Sequence, residues 1–338
     1  MSPNTFAILT VETDVLCFQC ISNGGVAPFV GHNAFLRWRA LQEASFIDED
    51  GIRSVWSSAH VSEDFDQALR LLQKGYIVRW ATYSQNEFLE GVSLTPDDEV
   101  NRWQKYAFGC SELILNTFSK WPTRGPLSKN FRTFLGSKCT TAYKFDACSY
   151  IFSYWALATA VPLNIGLFFA QGFWGDKLDP VFLPPWNTLL SIIIVFIGGG
   201  NVALIISQAR SGRRSFFDAL LKQVMWIPAL VVFFGGLSFH ILIALIAHPF
   251  GVNMTWSATV KDVEESNFFI EVPRIFKRFW ACYLVMFLFI ASMIVVNLPF
   301  VGTYAIQGWP IYVPACLLVS FHILYPIVLS PYITRFSF

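Results

Sequence analysis

Apolar and polar positions divide the chain in two. Up to about Asp146 charged and apolar residues intermix, and beyond it long uncharged runs dominate. In the first part, 34–44 carries helix-favouring residues, with Gly31 and Asn33 just before it able to adopt turn geometry. In VSEDFDQALRLLQKGY, Ser62 stands where a helix N-cap would, and Ala68, Leu69 and Leu72 share a face. The segment IVRWATYS predicts a short strand. TPDDEVNRWQKYAFGCSELIL then opens on Thr95, Asp97 and Asp98. Its apolar groups recur at Val100, Trp103, Ala107, Cys110 and Ile114, which is helical spacing.

The second part holds five apolar stretches, 148–173, 188–209, 225–247, 279–300 and 309–331, none with a Lys, Arg, Asp or Glu. Each exceeds the ~20 residues that cross a hydrocarbon core of roughly 30 Å. Charges between them test how many cross. The run before the first is basic (Lys120, Arg124, Lys129, Arg132, Lys138, Lys144), the next connection, WGDKLDPVFLPPW, is acidic, and RSGRRSFFDALLKQ is basic again. If 225–247 also crossed, the segment bearing Lys261, Arg274, Lys277 and Arg278 would lie outside, and 301–308, which has no basic residue, would lie inside. If it does not cross, every loop obeys the positive-inside rule. Pro228 and Gly235–Gly236 are expected to break a helix there. The pattern therefore predicts four spanning helices and one interfacial or re-entrant segment, 225–247, with a plain five-span arrangement as the alternative. The soluble domain and the C-terminus, with Arg335, would face the cytosol.

Composition supports this division. Of 338 residues 54% are hydrophobic and only 14% charged, against roughly a quarter charged in a soluble domain. Mean hydropathy is +0.48. A net charge of +1 offers no concentrated basic face, so no nucleic-acid partner is expected. The first residues lack a basic start and carry Glu12 and Asp14, a poor signal peptide. Cys17 and Cys20 form a lone CxxC without the second pair or histidines of a zinc site, so no metal role is assigned to them.

At GHNAFLRW, SEDFDQALRL and RWQKYAFGCSEL, in that order before membrane helices, the chain resembles the membrane-embedded family 2 glycosyltransferases. These include the cellulose, chitin and hyaluronan synthases, and the wording looks most like a fungal branch. The resemblance implies an α/β fold, the C-terminal half of a GT-A-like glycosyltransferase domain, followed by an all-α transmembrane domain. It also implies transfer of a sugar from a nucleotide (UDP) sugar to a growing polysaccharide, with inversion. Glu63 and Asp64 resemble the family's T-E-D motif, with Ser62 in place of Thr; the Asp is there the general base on the acceptor hydroxyl. An acidic pair at a helix start also stabilises the helix dipole, which is the other reading. Arg102 and Trp103 resemble the end of Q-x-x-R-W, where Trp stacks on the acceptor sugar and Arg faces the diphosphate. Glu99 stands at the Gln position and keeps an acceptor but loses the amide donors. A core Trp beside a surface Arg is the alternative. Gly31 and Asn33 resemble a G-x-N element near the sugars, Gly31 being also a plain turn glycine. FGVNMTWSATVKDVE resembles the synthases' gating loop, with Thr259 and Lys261 the matching residues, or else is a solvated loop.

The family also uses Mg or Mn on the diphosphate, held by a D-x-D motif that precedes the G-x-N element. Two such strings occur here, Asp48-Glu49-Asp50 and Asp64-Phe65-Asp66, and neither has that order, so no metal ligands are assigned. This predicts an N-terminally incomplete transferase: an atypical segment 1–23, a partial GT-A-like domain 24–119, a basic interfacial linker 120–147 and a membrane domain 148–338 with a gating-loop-like 249–278. The alternative is an inactive membrane protein that assembles, as a homo- or hetero-oligomer, with a complete synthase. The expected partners are nucleotide sugar, glycan acceptor and lipid bilayer. Plasma membrane is the expected location, with Golgi as the alternative.

Overall fold

The computed structural model describes residues 29, 31, 34–48, 50–58, 60–79, 93, 95–174, 187, 190–191, 193–210, 215–256, 266–306 and 308–330. A short helix α1 (Trp38–Glu43) leads into a hairpin of β1 (Phe46–Ile47) and β2 (Arg53–Ser54), paired antiparallel with Phe46 opposite Ser54. Asp48 closes its turn, Oδ1 accepting from the Ile52 amide at 2.9 Å and Oδ2 from the Ser54 hydroxyl at 2.8 Å. Arg70 ties the hairpin to helix α2 (Glu63–Gln73), donating to the carbonyls of Ala44 and Val55 at 2.9 Å each with its Cζ 4.3 Å over the Phe46 ring.

The α/β expectation is corrected in extent. Among the described residues the sheet is this hairpin, and helices make up the rest of the regular structure. Ile77–Arg79, the start of the expected strand, are irregular, and 80–84 lie outside the described residues.

Helix α3 (Pro96–Ile114) starts as its sequence requires. Thr95 Oγ1 accepts from the Asp98 amide at 3.2 Å, Pro96 sits in the first turn, and three acidic residues face the positive end of the dipole. Its predicted stripe of Val100, Trp103, Ala107, Cys110 and Ile114 is buried. Segment 120–147 carries α4 (Trp121–Arg124) and α5 (Lys129–Gly136), and its last residues begin α6. Helix α5 buries Phe131 and Phe134 in the same core as α2 and α3.

Among the described residues five helices are long and apolar enough to cross a membrane: α6 (Thr141–Trp174), the run Ile193–Arg210 ending in α7 (Gly200–Arg210), α8 (Phe216–Ala247), α9 (Phe268–Val295) and α10 (Trp309–Val328). They coincide with the five apolar stretches. Helix α8 departs from expectation in being unbroken through Pro228. Proline inside a membrane-length helix is tolerated more readily than in a helix in water. Its two glycines serve close packing: a Cβ on Gly236 would lie 2.3 Å from Tyr325 Cβ, so α10 crosses directly on that backbone.

Two apolar cores divide the bundle. One joins Val161 and Phe168 of α6, Met286 and Phe289 of α9, and Ala315 and Leu318 of α10, with Phe239 the one buried residue from α8 among the described residues. The larger core takes Leu230, Phe233, Leu237, Ile241 and Leu245 of α8 together with α2, α3, α5 and the nearer ends of α6, α9 and α10. Helix α8 thus packs against both the first-half helices and the α6–α9–α10 bundle. Helix α3 lies along it: Trp103 meets Phe233 and Phe234, Gln104 Nε2 donates to the His240 carbonyl at 3.1 Å, and Ser111 reaches the Leu245 carbonyl. Arg278 of α9 binds Asp97 at 2.6 Å and Gln104 Oε1 at 3.0 Å, fixing α3 to a third helix.

Candidate active site

The turn Val61–Ser62 and the first turn of α2 present Glu63 and Asp64. Glu63 is exposed, whereas Asp64 is half-buried. Ser62 occupies the N-cap position but makes no capping bond with its side chain. It is pressed instead onto α3, where a Cβ on Gly109 would lie 1.9 Å from Ser62 Oγ and 2.7 Å from Ser62 Cβ. Only glycine at 109 lets the two helices approach so closely.

Gly31 meets Asp64 from the other side. Its φ of +81° suits glycine, and an added Cβ would stand 2.8 Å from Asp64 Cβ and 3.0 Å from Oδ2. The structure therefore brings together Gly31 and Asp64, two residues singled out separately in the sequence. Burial raises the Asp64 carboxyl above its ordinary range; the Phe65 amide, donating to Oδ1 at 2.8 Å, and Lys105 oppose this, while Glu63 adds to it. A carboxylate whose affinity for protons is raised above the ordinary suits general-base work.

Glu99, Arg102 and Trp103 form a second group on α3. Glu99 is fully buried. Arg102 forks onto it, Nε to Oε2 at 3.0 Å and Nη2 to Oε1 at 2.6 Å, and Trp103 Nε1 donates to Oε1 at 2.8 Å. The residue at the Gln position is thus the hub of its motif, supplying charge to Arg102 and an acceptor to the indole. Held this way, the Trp103 ring turns into the helix bundle, with centroids 5.8 Å from Tyr154 and 5.8 Å from Phe234. It is 8% exposed, so both its faces lie against protein rather than on an open platform.

Asn33, Thr259 and Lys261 lie outside the described residues. The start of the gating-like segment does fall within them: Trp256 packs edge-on to Phe108 of α3 at 5.6 Å.

The donor set for a diphosphate-bound Mg or Mn does not fit. Asp66 is buried, one oxygen paired with Arg70 at 2.9 Å and the other accepting from Asn130 at 2.5 Å. Asp48 is spent on its hairpin turn. Among the described residues no group of three His, Cys, Asp or Glu side chains comes together in a way that holds a metal.

Sequence reasoning missed the support beneath the acidic turn. Glu112 Oε2 accepts from the Val61 amide at 2.7 Å across 51 positions of sequence, and burial pushes its carboxyl up to about 7. Ser111 Oγ lies 3.1 Å from His248 Nδ1. Burial, with His60 and Lys120 nearby, holds His248 neutral, down to about 4. One signal was available: Gly109 interrupts a good helical pattern, which marks a close backbone approach. No local pattern marks Glu112.

Residues 4–171, about half of the chain, match the model of the family described as Glycosyl transferase family group 2. With the five membrane-length helices, that match supports a membrane glycosyltransferase, an integral membrane protein. The family supported is family 2 of the glycosyltransferases, whose substrates are a nucleotide sugar and an acceptor. No curated protein matches the chain, and no solved structure does.

Proposed function

We propose that this protein is an inverting glycosyltransferase that extends a polysaccharide from a UDP-sugar at the cytosolic face of a membrane. The observation that carries the reading is the pairing of Asp64 with Gly31, a half-buried carboxylate of raised proton affinity packed against a glycine too close to carry a Cβ. The acceptor hydroxyl oxygen attacks the anomeric carbon of the donor sugar and gives its proton to Asp64. The bond from that carbon to the diphosphate oxygen breaks, the nucleotide leaves with the electron pair, and attack from the opposite face inverts the configuration. Arg102 contributes positive charge on the leaving-group side, tempered by its fork onto Glu99. Trp103, packed on both faces, braces the Glu99–Arg102 pair rather than stacking on the acceptor, and Thr259 and Lys261 act at the nucleotide by resemblance to the synthases.

Helix α8 is the interfacial element in this reading. Its packing along α3 and across the near ends of α6, α9 and α10 supports that position, as does the distribution of loop charge. Four helices then span, and the C-terminus is cytosolic.

A second reading has its own support. Because Asp48 and Asp66 are engaged elsewhere, the chain would work beside a complete synthase that supplies the nucleotide- and metal-binding half. The test is nucleotide release by the protein reconstituted in nanodiscs, with UDP-glucose, UDP-N-acetylglucosamine and UDP-glucuronate offered in turn with Mg or Mn. Release that Asp64→Asn abolishes supports the first reading. No release alone, but release from a copurified complex that survives Asp64→Asn, supports the second.

A further inference from the structure

The acidic turn that carries Asp64 is held by one turn of α3 in addition to its own helix, where the Ser62 carbonyl accepts from the Asp66 amide at 3.1 Å. The Ser62 side chain makes no capping bond to α2, so nothing from that hydroxyl fixes the approach of the chain. Two residues of α3 do so instead. Gly109 receives Ser62, and Glu112 accepts from the Val61 amide at 2.7 Å. Between them, Ser111 points the other way and joins His248 at the end of α8. The α3 turn is thereby anchored to the membrane-side helix on one face and grips the acidic turn with the other.

Glu112 is the unexpected member. A half-buried carboxylate is disfavoured unless something uses it, and an amide accepted by a carboxylate is a stronger anchor than one accepted by a neutral oxygen. The bond lies three residues before Asp64. A shift there is transmitted to a carboxylate whose Cβ is already confined by Gly31.

We propose that Glu112 is a positioning residue for Asp64: through the Val61 amide it sets where the carboxylate stands relative to the acceptor hydroxyl. This rests on the reading of Asp64 as the base. It adds a residue that touches neither substrate, acts from another helix and couples the base to the α3–α8 contact.

The test uses the full chain in nanodiscs and two variants. Glu112→Ala removes the acceptor, and Glu112→Gln keeps a carbonyl oxygen in its place. Two readouts are taken: hydrogen exchange of the peptide covering 61–66, and turnover in the nucleotide-release assay with KM for UDP-sugar. Glu112→Ala is expected to speed exchange in 61–66 about tenfold with α5 and α6 peptides unchanged, since one hydrogen bond is lost locally. Its kcat is expected to fall about 100-fold with KM within twofold, the effect of roughly 1 Å of misplacement. Glu112→Gln is expected to recover slow exchange and most of the turnover. Unchanged exchange in 61–66 for Glu112→Ala overturns the proposal, as does equal loss of turnover in both variants or a loss confined to KM. A wild-type protein with no transfer activity overturns the functional reading, while the exchange comparison still decides whether Glu112 holds the turn.

Discussion

Replacing Gly109 by alanine separates the geometry of the acidic turn from the stability of the fold. The new Cβ would lie 1.9 Å from Ser62 Oγ, 2.7 Å from Ser62 Cβ and 3.1 Å from the Ser62 backbone nitrogen, all inside ordinary contact. Rotating the serine relieves the first clash but not the other two, so the backbone at 62 must retreat by close to 1 Å. Overpacking of this kind costs about 1–3 kcal/mol. Alanine returns about 1 kcal/mol of helix propensity in α3, leaving a net loss of roughly 0–2 kcal/mol. Catalysis is more sensitive, because misplacing a base by about 1 Å costs on the order of 100-fold in rate. Gly109→Ala should therefore lower nucleotide release about 100-fold while the melting temperature, read by intrinsic fluorescence in nanodiscs, moves by only a few degrees. Adding Ser62→Gly removes both serine atoms that clash first and should restore a large part of the rate. Full activity in Gly109→Ala, or a double variant no better than the single one, would refute the reasoning.

Two further outcomes follow from buried groups. Glu99→Ala leaves Arg102 without its carboxylate and the Trp103 indole without an acceptor, and should cost about 3–5 kcal/mol by thermal or denaturant unfolding; Glu99→Gln, which keeps the indole's acceptor, should cost clearly less. Glu112 is raised to about 7 from an ordinary 4.5, so its protonated form favours the folded state: that contribution is whole below about pH 4.5 and is lost as pH rises through about 7. After discounting for solvent screening of a half-buried group the effect is about 1–2 kcal/mol. The stability difference between wild type and Glu112→Gln should accordingly drift in favour of the variant between pH 5 and pH 8, and a difference independent of pH would count against the burial argument.

Elements with a strong period were legible in the sequence. The stripe Val100–Trp103–Ala107–Cys110–Ile114 located α3, and five uncharged runs located the membrane-length helices. The expected break in 225–247 failed for a definite reason. Proline and glycine disrupt helices in water, but membrane-length helices tolerate proline, and Gly236 of α8 is used to seat Tyr325. The expected helix 34–44 shortened to Trp38–Glu43, and the hairpin after it was unreadable because two-residue strands carry no alternation. At the site, motif order put Gly31 and Asp64 under suspicion and the fold places them in contact. The Glu112–Val61 bond joins residues 51 apart, and a contact set by the docking of two helices leaves no local pattern. Glu99, a departure from the family motif on paper, is its structural hub because the same helix turn supplies both its donors.

The central claim is that Asp64 takes the proton of the acceptor in sugar transfer. The most direct measurement is nucleotide release and glycan formation by nanodisc-reconstituted wild type and Asp64→Asn, compared at equal folding judged by melting temperature. Asparagine keeps the size and an acceptor oxygen but cannot hold the proton at neutral pH, so the account predicts intact protein with turnover reduced at least 100-fold. Wild-type turnover in Asp64→Asn would contradict it.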